Sequence, residues 1–229
     1  MKMPDRFHQT ALKLPVRSLT GRADFFTAKE NAQAVAMIDS FPNGFHGAVI
    51  FGEKGCGKTH LARLFADTVF QKTGKKPDFV SFDAWSAQTD KETPYIILED
   101  VRPPIDETAM FHLLNQVKST NGFVLMTSET VPSGWNLKLP DLMTRLKALP
   151  CIQIQSPGEE LMRAVLIKQF ADRQLTVAPE VITYILKNME RSFAALSYVV
   201  QRADELSLEK KRAVTVPLIR QVLDKPDAV

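Results

Sequence analysis

Eight consecutive residues, Gly52-Glu53-Lys54-Gly55-Cys56-Gly57-Lys58-Thr59, constrain this chain more than any other stretch. They follow the apolar run Ala48-Val49-Ile50-Phe51. They lead into a segment from Thr59 to Gln71 that carries Leu61, Leu64 and Phe65 on one side. A strand that turns through such a loop into a helix is the setting in which this spacing binds phosphate. The glycines allow a tight wrap that aims successive backbone N–H groups at phosphate oxygens, and the helix N-terminus adds its positive end. Lys58 is then placed for the β- and γ-phosphates and the Thr59 hydroxyl for a Mg²⁺ ion.

The surrounding pattern fixes the fold class. Short apolar segments recur at Ala48–Phe51, Phe79–Phe82, Tyr95–Leu98, Phe123–Met126 and Cys151–Ile154, several of them β-branched or aromatic throughout. Such runs are expected of parallel strands buried on both faces by helices. Met110, Leu113, Leu114 and Val117 recur at the spacing of one helix face. Residues up to about 155 therefore read as an α/β layered sheet.

After Ile154 the strand signal stops. Ser156-Pro157-Gly158-Glu159 predicts an N-capped helix from Pro157 to about Asp172, with further helices at Pro179–Met189, Ser192–Leu206 and from near Pro217. The expected division is an arm over 1–19, an α/β domain over 20–155 and a small all-helical domain over 156–229, hinged near Gln155 to Gly158.

Composition excludes several classes. Among 229 residues, 45% are hydrophobic and 24% charged, which sets the chain apart from disordered sequences. No apolar run approaches the roughly 20 residues needed to cross a bilayer. No apolar segment follows Lys2 and Arg6, so a soluble cytoplasmic protein without a membrane partner is expected. A net charge of +3 is too weak to indicate strong direct DNA binding. Cys56 and Cys151 form no metal-binding or disulfide pattern and read as reduced thiols.

Further candidates follow from strand ends. Glu99 and Asp100 close the Tyr95 strand, where a carboxylate can organise Mg²⁺ or a water beside the phosphate loop. Thr127-Ser128-Glu129 ends the next strand, either as a hydroxyl beside the γ-phosphate or as a plain turn.

Taken together, Gly52 to His60, Tyr95 to Asp100, Phe111-His112-Leu113-Leu114-Asn115, Leu139-Pro140-Asp141-Leu142 through Arg145, Phe170 to Leu175 and Met189-Glu190-Arg191-Ser192 resemble the AAA+ module of the DnaA-related family. The resemblance is closest to the Hda-type regulatory inactivators of DnaA in their alphaproteobacterial form. It implies an AAA+ P-loop core followed by a helical lid, with ADP or ATP and Mg²⁺ as cofactors. It also implies that residues 52–60 and Arg191 bind the nucleotide, that Thr59 and Glu99 hold the metal, and that Lys58, Glu99, Asp100, Thr127 and Ser128 serve the reaction. Arg145 matches the arginine finger, which completes a neighbouring subunit's ATP site. Gln9-Thr10-Ala11-Leu12-Lys13-Leu14-Pro15 is similar to the motif by which Hda proteins bind the sliding clamp, the DNA polymerase III beta subunit, through Gln9, Leu12 and Leu14.

Three departures from the family pattern stand out. Glu99-Asp100 replaces a pair of aspartates, only Asp83 to Pro94 separates the second and third strands, and the lid is not followed by a helix-turn-helix domain. The resemblance implies a negative regulator of replication initiation that stimulates hydrolysis of initiator-bound ATP together with the clamp, acting mainly in trans and able to form homo-oligomers. The alternatives are a self-contained P-loop ATPase acting as a loader or remodeller, and an initiator-related adaptor.

Overall fold

The computed structural model describes residues 25–85 and 94–224. The apolar runs become β1 (Gly47–Phe51), β2 (Asp78–Ser81), β3 (Tyr95–Val101), β4 (Phe123–Ser128) and β5 (Cys151–Gln153). Every pairing between them is parallel, and the order across the sheet is β2-β3-β4-β1-β5. Parallel neighbours need a crossover on each connection, and helices supply most of them. The crossover helices are α2 (Lys58–Thr73), the four-residue α3 (Phe82–Trp85), α4 (Glu107–Ser119) and α5 (Pro140–Lys147), while α1 (Ala32–Asp39) precedes the first strand.

Because strand side chains alternate between faces, the sheet divides its core in two. Ala48, Ile50, Ile97 and Leu125 pack with α1 and α2. Val49, Leu98, Val124 and Met126 pack with Met110, Leu113 and Val117 of α4 and with Leu142 and Leu146 of α5. The expectation of burial on both faces holds through β4 and most of β1, whereas the edge strands β2 and β5 alternate between half-buried and exposed residues. A strand at an edge lacks the covering helix on one side, so Phe79 stays 41% exposed.

The helical part comprises α6 (Glu159–Asp172), α7 (Pro179–Asn188), α8 (Phe193–Lys210) and α9 (Val216–Leu223). Leu166, Phe170, Ile185, Leu196, Val200 and Ile219 form a core of its own. Each such side chain contributes roughly 1.5–3 kcal/mol when fully buried, enough to hold a four-helix unit that touches the sheet domain through loops. The expected start of α6 is corrected. Its N-cap is Gly158 rather than Ser156, and its first residue is Glu159. The Ser156 hydroxyl instead donates to Glu53 Oε2 at 2.6 Å, a charge-assisted bond that ties it to the loop before the helix begins. Pro179 begins α7 as expected, Ser192 caps α8 by accepting from the Ala195 amide, and α8 runs four residues past Leu206 to Lys210. Among the described residues, no helix is long and apolar enough to cross a membrane.

Candidate functional site

The phosphate-loop residues wrap the C-terminal end of β1 and the N-terminus of α2. Gly57 is the N-cap of α2 with φ 106°, a left-handed conformation that a side chain resists. Lys58 is 7% exposed, and its ammonium donates to the carbonyls of Gly52 at 2.8 Å and Glu53 at 2.9 Å. The lysine thus lies folded along its own loop. Cys56 turns the other way, into the core shared with Leu61 and Ile154. Burial pushes its thiol up, partly opposed by Lys58, so it packs as a neutral side chain.

Beside the loop lies the end of β3. The Glu99 carboxyl is raised above its ordinary value, chiefly by burial and against a hydrogen bond from the Thr59 side chain; Asp100 adds to the rise. Glu99 Oε1 is buried without a hydrogen-bond partner among the described residues. Asp100 adopts φ 59° at an irregularity in the β3–β4 pairing, and its amide donates to Thr127 Oγ1 at 3.0 Å. Ser128 Oγ donates to the Val101 carbonyl at 2.8 Å. Both strand-end hydroxyls therefore clamp the bent end of β3, and of the two only Ser128 reaches the cavity wall.

That cavity has a volume of about 1120 Å³. Residues 54–60 of the loop and Asp100 line it. Phe25, Phe26, Leu161, Val165 and Phe193 add apolar wall, the last three from α6 and α8, and the Phe193 ring lies against Gly57. Phe25 stacks on His60 with ring centroids 5.1 Å apart and an interplanar angle of 18°. A phosphate cradle with apolar and aromatic walls beside it fits a nucleotide, its charge on the loop and its base on the apolar surface. The orphaned Glu99 oxygen beside Thr59 fits a divalent cation. Among the described residues no cluster of three or more His, Cys, Asp or Glu side chains could hold an ion alone, so phosphate and water would supply its remaining ligands.

The helical unit closes on the loop through the start of α8. The Phe193 amide donates to the Gly55 carbonyl at 3.1 Å, and Ser192 is 5% exposed against Gly55. Arg191, one residue earlier, is exposed and does not line the cavity. Arg145 is also absent from the cavity wall; it projects from the last turn of α5 with its guanidinium carbon 4.7 Å from the centre of the Phe111 ring. Gln9, Leu12 and Leu14 lie outside the described residues.

Several cavity residues escaped sequence reasoning. Phe25 and Phe26 precede α1 with no motif around them, though an aromatic pair just before a helix is a signal of something to cover. Arg63 lines the cavity one turn beyond Thr59, and Arg102 grips both Asp83 carboxylate oxygens, at 2.7 and 2.6 Å, while donating to the Asp100 carbonyl. Arg102 ties the end of β3 to α3, a link visible only once β2 and β3 pair.

Residues 159–223, from α6 to α9, match the Hda lid domain. An uncharacterized protein of Haemophilus influenzae is 27% identical over 187 residues, covering 76% of this chain and 80% of that relative. Domain III of the Thermotoga maritima replication initiation protein DnaA superposes with a TM-score of 0.80 at 16% identity, over 93% of this chain and all of that domain. AMPPCP-bound DnaA from Aquifex aeolicus gives a TM-score of 0.65 at 18% identity, over 82% of this chain and 66% of that one. The Thermotoga maritima RuvB branch migration motor gives 0.62 at 11% identity, over 86% and 69%. The fold is thus the AAA+-like parallel sheet with a helical lid. Residues 159–223 are thus an Hda lid domain, carried on a core with the fold of domain III of DnaA.

Proposed function

We propose that the protein is a negative regulator of replication initiation that binds an adenine nucleotide and, with the DNA-loaded sliding clamp, presents Arg145 to ATP held by the initiator DnaA. The observation that carries this reading is the place of Arg145: on a chain with an Hda lid, it stands on α5 outside the walls of the chain's own cavity. A guanidinium so placed is available to a neighbour's nucleotide. There it meets the charge that develops on the transferring phosphoryl group, the role in which such an arginine is worth orders of magnitude in rate.

The chain's own site serves assembly. The backbone of residues 52–57 and the Lys58 ammonium would hold the phosphates of ADP or ATP, and Phe25, Phe193 and the apolar side of α6 would enclose the base. Thr59 and Glu99 would hold Mg²⁺, which when bound offsets phosphate charge. Thr127 and Ser128 keep Asp100 and the end of β3 in place beside the loop. Arg191 precedes Ser192, which packs against Gly55 of the loop, and would contact the bound phosphates from the lid. The arm with Gln9, Leu12 and Leu14 would meet the clamp, and a second copy of the chain could take the neighbour's place in a homo-oligomer.

The test is ATP hydrolysis by purified initiator with this protein, ADP and clamp loaded on DNA. Acceleration that requires clamp and is abolished by Arg145→Ala, with folding and nucleotide binding intact, is the expected result. Unchanged acceleration by Arg145→Ala overturns the finger. Steady turnover by this protein alone, lost in Lys58→Ala, supports the self-contained ATPase instead.

A further inference from the structure

We propose that Phe111 is the positioning residue of Arg145: its ring fixes the guanidinium while leaving every donor of that group free for a partner's nucleotide. The inference rests on the reading of Arg145 as a finger acting in trans. It begins with what Arg145 lacks. Among the described residues its side chain makes no hydrogen bond or ion pair, and its guanidinium carbon lies over the Phe111 ring at 4.7 Å. A carboxylate in the same place would hold the side chain more tightly but would neutralise it and occupy its fork of N–H groups. An aromatic face attracts the cation through its quadrupole and takes none of the five donors.

The ring itself is well anchored. Phe111 is half-buried against the core shared by α4 and α5, and Leu142 and Leu146, one turn apart, fix the rotation of α5 in that core. One turn before Phe111 on the same face of α4, the Glu107 carboxylate accepts from the Lys138 amide at 2.9 and 3.0 Å and from the Leu139 amide at 2.6 Å. Two residues of α4 thereby hold α5 at both ends, Glu107 at its entry and Phe111 under the finger near its exit. Arg145 is delivered by a rigid pair of helices.

The experiment compares wild type, Phe111→Leu, Phe111→Tyr and Arg145→Ala, full length, in the clamp-dependent initiator ATPase assay, reading maximal stimulation and half-saturating concentration separately. Phe111→Leu keeps an apolar side chain in the core and removes the ring. Its maximal stimulation should fall roughly two- to fivefold, the rate equivalent of an exposed cation–π contact, at an unchanged half-saturating concentration. Phe111→Tyr should restore it. An NMR measurement independent of the initiator accompanies the assay: the Arg145 side-chain protons should be shifted upfield by the ring current in wild type and Phe111→Tyr, and not in Phe111→Leu. If Arg145→Ala abolishes stimulation while Phe111→Leu matches wild type, the positioning role is overturned and the finger stands. If Arg145→Ala stimulates normally, the finger reading falls and the positioning role with it. Loss in both Phe111 variants with the ring-current shift retained in Phe111→Tyr also overturns it, since a correctly stacked finger would then be inactive for another reason.

Discussion

Glu99 is held in surroundings that disfavour its charge: it is half-buried, it neighbours Asp100, and one oxygen is buried without a hydrogen-bond partner among the described residues. The Thr59 hydroxyl offsets part of this. Because the folded carboxyl sits above its ordinary value of 4.5, the folded state holds the proton over a pH range in which the unfolded chain has lost it. Stability therefore falls as pH rises from the ordinary value through the raised one, and stays reduced above it. Glu99→Gln removes that cost, so at neutral pH the variant should melt at a higher temperature than wild type, and the difference should vanish as pH falls below the ordinary carboxyl value. Melting curves between about pH 8 and about pH 4 check this. A variant less stable at neutral pH would mean that the carboxylate is already compensated. Adding a nucleotide with Mg²⁺ should narrow the gap, because a cation at Glu99 favours the charged form that the protein alone disfavours.

At the scale of elements, the contact that matters most joins the phosphate loop to the start of α8. Gly55 has φ 80°, and a Cβ there would stand 2.6 Å from the Ser192 Cβ. Gly55→Ala therefore combines left-handed strain with a clash against the residue that caps α8, and should cost about 2 kcal/mol in urea unfolding. It should also weaken binding of a fluorescent adenine nucleotide. Ser192→Gly in the same background removes the clash but not the strain, so it should recover part of the loss; full recovery or none would refute this division. The strand–loop–helix order of this element was legible because glycine spacing and apolar runs are local. So were Pro179 and Ser192 as helix starts. Ser156 was misread because its partner, Glu53, is 103 residues away in sequence. The helix α1 was missed because Ala34, Val35 and Ile38 mark a face too short to stand out. The same limit hid Phe25 and Arg102, whose partners His60 and Asp83 meet them only after the sheet forms.

The whole molecule packs as a sheet domain, with a core on each face of the sheet, and a lid with a core of its own, and the two parts meet at the cavity. The apolar clusters of the sheet and of the lid are separate, so the lid's position depends on polar links beside the cavity rather than on a shared core. Such links join the described residues at several points. The Phe193 amide donates to the Gly55 carbonyl, the Gln155 amide donates to the Glu30 carbonyl at 3.3 Å, and the Ser156 hydroxyl donates to Glu53. Glu53 and Gly55 belong to the phosphate loop, so anything that reshapes the loop pulls on the lid at two points. A lid fastened in this way should open without the protein unfolding. Ser156→Ala removes one fastening at an exposed site, where a charge-assisted bond is worth about 1 kcal/mol. Hydrogen exchange should then quicken by up to about fivefold at the Phe193 amide, while amides inside α7 and in the middle of β4 exchange as in wild type. Equal acceleration throughout would mean that sheet domain and lid unfold together and that the lid has no independent motion, and no acceleration at Phe193 would mean that the Gly55 contact holds the lid without help from the hinge. A nucleotide that binds across both units should reverse the effect, slowing exchange at Phe193 in the variant toward the wild-type rate, since it spans the gap that the lost bond had closed.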